Sequence, residues 1–156
     1  MQNLLNQEGT LALEEVYELA RVSGVSVYGF CLPETHALSV MDANGRCSVG
    51  IDDSRRYSVA EEKCMLMHEL GHCSTGAFYD SASPLSLVGK CEKKAEVWAI
   101  HRLLPLSSLK NAYSAGISSS FELAEHFELS ESFVKKAIEY YIESGEIYGT
   151  LGKDDQ

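Results

Sequence analysis

His68-Glu69-Leu70-Gly71-His72 is the stretch of this chain best suited to chemistry. On a helix, two histidines four residues apart stand about 40° apart around the axis and one turn along it, so both imidazoles reach one metal ion from the same face. Zinc accepts such nitrogen ligands, and a catalytic zinc keeps a position open. Glu69, next to the first histidine, projects beside the ion rather than onto it. From there it can take a proton from water that the metal has made more acidic. The H-E-x-x-H spacing is a metallopeptidase signature when it lies on a helix. A histidine pair on a helix can equally be solvated, or buried with its nitrogens satisfied, so a third ligand has to be found.

That ligand should come from an element packed beside the first helix. Glu92 and Glu96 stand at i and i+4 on a later helical stretch. We assign Glu92 as the third zinc ligand and Glu96 as the acceptor for the distal nitrogen of a ligand histidine, which would fix its tautomer. The competing reading pairs both glutamates with Lys93, Lys94 or Arg102 on a solvated surface. Cys64 shares the face of His68 and His72, but the row from Cys64 to His72 spans about 12 Å, too far for one ion to collect both ends. Cys73 points away from His72, and His101 lies more than two turns beyond Glu92 and reads as a surface or helix-end histidine. Tyr79 and Tyr113 are both candidates for an oxyanion-stabilising donor. Two histidines and a carboxylate would also accept manganese, iron or cobalt.

The elements that must position these groups follow from periodicity. Leu11 to Val22 reads as a helix, with Thr10 as its cap and Gly24 at its end. Alternating runs at 25–31, 37–41 and 47–51 read as three strands, with Asp42-Ala43-Asn44-Gly45 as a turn between the last two. Tight connections suggest a small antiparallel sheet. Ser58 and Glu61 form a capping box for the helix that carries His68 and His72. Residues 74–90, with their Gly, Ser and Pro84, read as an irregular loop. A helix from Cys91 to Leu104 stops at Pro105, helical stretches follow at 120–127 and 131–144, and the last residues look frayed. The fold class is α+β: a three-stranded sheet packed on helices, with a metal-site domain over 1–110 and a helical module over 111–156.

Composition bounds the rest. Thirteen Lys+Arg against 23 Asp+Glu give a formal charge of −10, which disfavours a life on phosphate backbones. No apolar run approaches the roughly 20 residues of a membrane span, and the first residues lack the features of a signal peptide, so a cytoplasmic address is expected. The five cysteines show no CxxC pair and are expected as buried, reduced thiols. The tail resembles a helix-turn-helix, with Leu123, Ala124, Leu129, Val134 and Ile138 as its apolar positions. Residues 118–156, however, hold nine acidic and three basic residues. That balance repels phosphate, so a packing or protein-docking role is expected, with no direct nucleic-acid contact.

The string HELGH, followed by E-x-x-A-E-x-W-A-x-x-x-L-L-P from Glu92 to Pro105, resembles the ImmA/IrrE metallopeptidases over about residues 50–105. Their pattern has Asn or Asp where Glu96 stands and Phe where Trp98 stands. The resemblance implies a helical zincin-like core and a gluzincin-like site, with His68, His72 and Glu92 as zinc ligands and Glu69 as general base. Such proteins are encoded in phages and mobile elements beside helix-turn-helix repressors. The implied function is therefore an anti-repressor endopeptidase that cleaves or inactivates a DNA-binding repressor. The alternative is a non-proteolytic zinc-fold module that sequesters the repressor or assists its degradation. An acidic chain suits the basic surface of such a partner.

Overall fold

The computed structural model describes residues 10–147. The expected fraying of the last residues lies outside that range. Helix α1 spans Leu13–Val22 and is capped by Ala12, whose N–H donates to Glu15 Oε2 at 2.6 Å. Thr10, expected as the cap, instead donates its hydroxyl to the Leu103 carbonyl at 3.2 Å and fastens the start of α1 to the end of α3.

Strands β1 (Ser26–Phe30), β2 (Ala37–Met41) and β3 (Cys47–Asp52) form one sheet in the order β1-β3-β2. β2 and β3 make the expected antiparallel hairpin, but β1 pairs parallel with β3, so the sheet is mixed rather than antiparallel. Alternation with period two is the same in both pairings and does not report strand direction. The crossover from β1 to β2 is held at the end of β3: Asp52 N donates to His36 O at 2.8 Å, and Asp52 Oδ1 accepts from Leu32 N at 3.3 Å. Val49 and Ile51 on β3 are buried on the face that meets the helices.

Helix α2 spans Val59–Thr75 and starts with the anticipated box: Glu61 N donates to Ser58 Oγ at 3.1 Å, and Ser58 N to Glu61 Oε2 at 2.8 Å. Gly76, with φ 67°, ends it in the left-handed conformation. Helix α3 spans Leu85–Leu103 and so takes in residues 85–90, expected as loop. Pro84 sits at its N-cap, where a missing N–H costs nothing, and it starts the helix rather than marking a loop. Helix α4 (Leu106–Ser114) was not legible as a separate element; α5 (Ser120–Phe127) and α6 (Glu131–Glu143) fall where the pattern puts them.

One buried cluster joins these elements, from Val16, Val49, Leu66 and Met67 through Ile100 and Leu103 to Phe127, Val134 and Tyr141. Packing is therefore continuous across residue 110. Lys63 of α2, fully buried, donates Nζ to the Phe127 carbonyl at 3.1 Å and satisfies the end of α5. Burial pushes its pKa below the ordinary lysine value, against the pull of Glu128. Tyr141 donates its hydroxyl to Leu104 O at 2.9 Å.

The expectation of reduced thiols throughout does not hold. Cys47 and Cys73 are disulfide-bonded with Cα atoms 5.8 Å apart, Cys31 is exposed, and Cys64 and Cys91 are free and buried. The buried sheet face brings the start of β3 against the last turn of α2, a proximity that spacing in the sequence does not encode. Closing a loop of this length, 26 residues in sequence, implies that reduction by a dithiol lowers stability by about 2–4 kcal/mol, read as a lower denaturant midpoint. An unchanged midpoint would show that the bond constrains nothing.

The contact that sets the α2–α3 distance is at Gly71. A Cβ there would lie 2.5 Å from the Ala95 carbonyl oxygen and 2.9 Å from its Cα, both rigid backbone atoms. Gly71→Ala should therefore push the helices apart and cost about 1–3 kcal/mol, measured by denaturant unfolding. Wild-type stability in that variant would mean that the two helices can separate freely.

Candidate metal centre

The α2–α3 approach carries Glu92 onto the histidine pair. Glu92 Oε2 lies 2.9 Å from His68 Nε2, and Glu92 Oε1 lies 3.2 Å from His72 Nε2. One candidate ligand atom from each of the three residues falls within 4.8 Å of the others. His72 is buried, while His68 and Glu92 are half-buried and open to solvent on one side.

Orientation comes from the residues just after α2. The left-handed turn at Gly76 brings the Ala77 carbonyl to 2.6 Å from His72 Nδ1. A carbonyl only accepts, so the ring must carry its proton on Nδ1 there. In the neutral ring Nε2 is then a lone pair facing a carboxylate oxygen. Acceptor facing acceptor is repulsive, and a cation between them turns the arrangement favourable. Two imidazoles and one carboxylate converging in this way fit a divalent ion with positions left open.

Tyr79 completes the constellation. Its hydroxyl donates to Glu92 Oε1 at 2.6 Å. That bond, partial burial and the charges of Glu92 and Glu69 push the phenol up to about 12, so it remains a donor. Burial alone would raise the Glu92 pKa. The Tyr79 donor, together with the charge of His68 and His72 when those rings are protonated, outweighs it and holds the carboxyl below its ordinary value. Glu69 is half-buried on the same helix, and no hydrogen bond or ion pair engages its carboxylate among the described residues.

The remaining candidates lie elsewhere. Glu96 does not accept from a ligand histidine: its Oε1 pairs with Lys136 Nζ of α6 at 3.2 Å, and the Ala77 carbonyl takes the role expected of it at His72. Cys64 accepts from Ser130 Oγ at 3.7 Å, Cys73 is in the disulfide, and His101 Nε2 meets the Tyr140 hydroxyl at 3.1 Å. Of the two tyrosines considered as donors, Tyr79 lies at the centre. Tyr113 packs on α4 against the core, with no hydrogen-bond partner for its hydroxyl among the described residues. Residue type was the only signal for Tyr79, since a backbone turn places it.

The geometry predicts stoichiometric uptake of a divalent ion, readable by competition with a chromophoric chelator. His72→Ala and Glu92→Gln should each weaken it by more than about 100-fold, and Tyr79→Phe by about 10-fold, as for groups that orient a ligand. Equal uptake by all three variants would exclude the assignment.

Among the described residues no helix is long and apolar enough to cross a membrane. No curated protein and no solved structure gives a significant match. A family model described as the IrrE N-terminal-like domain, a peptidase family, matches residues 51–139. The matched span runs from the end of β3 into α6, includes His68, Glu69, His72 and Glu92, and covers more than half of the chain. The chain therefore belongs to the ImmA/IrrE family of metallopeptidase-like proteins.

Proposed function

We propose that this chain is a zinc-dependent endopeptidase that serves as an anti-repressor, cleaving a helix-turn-helix transcriptional repressor. The observation that carries the proposal is a carboxylate with no hydrogen-bond or ion-pair partner among the described residues, Glu69, next in α2 to His68 of the converging set His68, His72 and Glu92. The nitrogen-rich donor set favours zinc. A divalent ion held by His68, His72 and Glu92 supplies Lewis acidity, polarising a peptide carbonyl and raising the acidity of water.

The residues of the chain do the rest. Glu69 takes a proton from the attacking water and delivers it to the amine that leaves when the C–N bond breaks. Tyr79, kept protonated, has a single proton to give: turned from Glu92 Oε1 towards the substrate, it donates to negative charge developing on the carbonyl oxygen. Ala77 holds the His72 ring in one tautomer throughout. The formal charge of −10 suits a basic partner, and a DNA-binding repressor presents such a surface to phosphate.

Glu69→Gln removes the base and leaves the ligands. Hydrolysis of a repressor substrate, followed by mass spectrometry of the fragments, should fall by about 100-fold or more while metal content stays at the wild-type level. Wild-type cleavage by that variant would overturn the mechanism. Relief of repression by the variant without fragments would instead assign the chain a sequestering role.

A further inference from the structure

We propose that the outer face of α3 is a docking groove for an acidic peptide segment with an apolar anchor, separate from the metal centre and independent of its activity. Glu92 and Ala95 point towards α2; the other side of the same helix lines a groove of about 820 Å³ closed on its far side by the turn at 75–78. Its floor is apolar, made by Phe78, Leu87, Val97 and Trp98, and cations rim it: Lys90, Lys93, Lys94 and Arg102.

These four are drawn from only 13 Lys+Arg in a chain of net charge −10, so the groove is an island of positive charge on an acidic protein. Lys90 and Lys94 are exposed and engage no acidic side chain among the described residues. Lys93 reaches Glu143 only at 3.8 Å and lies over the Tyr140 ring, and Arg102 lies on the Trp98 ring at 3.6 Å with no carboxylate partner among the described residues. Two lysines free of carboxylates among the described residues, Lys90 and Lys94, with Arg102 and the more loosely paired Lys93 around an apolar floor, are complementary to carboxylates flanking a buried apolar side chain.

A short acidic segment fits better than a nucleic acid. Salt screens charge beyond roughly 8–10 Å, so a short anion feels the local cations, whereas a longer polyanion running past the groove meets the acidic remainder of the surface. The Arg102 guanidinium already covers the Trp98 ring, which removes a face on which a base would stack. The wall at Ala77 and Phe78 also belongs to the segment that orients His72, so an occupant would rest against the support of the metal centre without entering it.

Trp98 is the only tryptophan in the chain, so its emission reports this groove and no other site. The test titrates the full chain, with and without added zinc, with a blocked ten-residue peptide of Asp and Glu around a central Leu-Phe pair. A saturable change in emission is expected in both conditions. Affinity should fall roughly tenfold when Lys90→Glu and Lys94→Glu are combined, and by a similar factor when the Leu-Phe pair is replaced by Ser. Arg56→Glu with Lys110→Glu makes the same charge change elsewhere and should leave affinity near wild type; circular dichroism verifies the fold of both variants. Absence of saturation, equal loss in the two double variants, or equally tight binding of an oligothymidylate of the same charge would each overturn the proposal. Because the readout needs neither metal nor hydrolysis, it can fail while the peptidase reading stands, and the reverse.

Discussion

The close contact of two helices at Gly71 is the constraint on which the candidate site rests. A carboxylate side chain is short, and Glu92 reaches both imidazoles only because the Ala95 backbone sits where any side chain at position 71 would be. Ala95 itself is fully buried, three residues beyond Glu92 on the same face, so one helical turn sets both the packing distance and the reach of the carboxylate. The glycine inside HELGH is thus as much a part of the metal site as the histidines, although it offers no ligand atom.

A second constraint acts at the end of the same helix. Gly76 terminates α2 in a conformation that residues with a Cβ adopt at a cost, and the chain then turns back so that Ala77, Phe78 and Tyr79 line the centre. Three consecutive residues do three different things there. Ala77 O fixes the His72 ring, Phe78 O accepts from the buried Cys91 thiol at 3.6 Å, and the Tyr79 hydroxyl fixes Glu92. The disulfide from Cys73 to Cys47 anchors the last turn of α2 to the sheet, so the helix end holding His72 is tied on both sides.

What the sequence disclosed was local. The capping box at Ser58, the stop before Pro105 and the spacing of His68, Glu69 and His72 depend on residues within one or two turns of each other, and each could be read directly. Glu92 was legible because a third ligand must come from the neighbouring helix, which narrowed the choice to one face of α3. The parallel pairing of β1, the Cys47–Cys73 bond and the Glu96–Lys136 pair depend on how distant elements come together. Period-two alternation, cysteine spacing and an i, i+4 glutamate pair are all silent about that. Residues 85–90 were misleading for another reason: Ser86 and Gly89 weaken helix propensity, and packing of the longer helix overrides it.

The helix-turn-helix pattern of the tail coincides with close packing on the rest of the chain. In a helix-turn-helix the second helix presents its side chains to the DNA groove. Here Phe133, Val134, Ala137 and Tyr141 of α6 are buried in the chain's own core. Its two lysines are also engaged, Lys135 with Glu131 at 3.0 Å and Lys136 with Glu96 at 3.2 Å. Lys63 from α2 meets the end of α5, and Ser130 at the start of α6 meets Cys64, one residue along α2 from Lys63. These contacts make α5 and α6 a brace on the two helices that hold the candidate ligands. A brace of that kind resists the separation of α2 from α3, and it acts on the same distance that Gly71 sets from the inside.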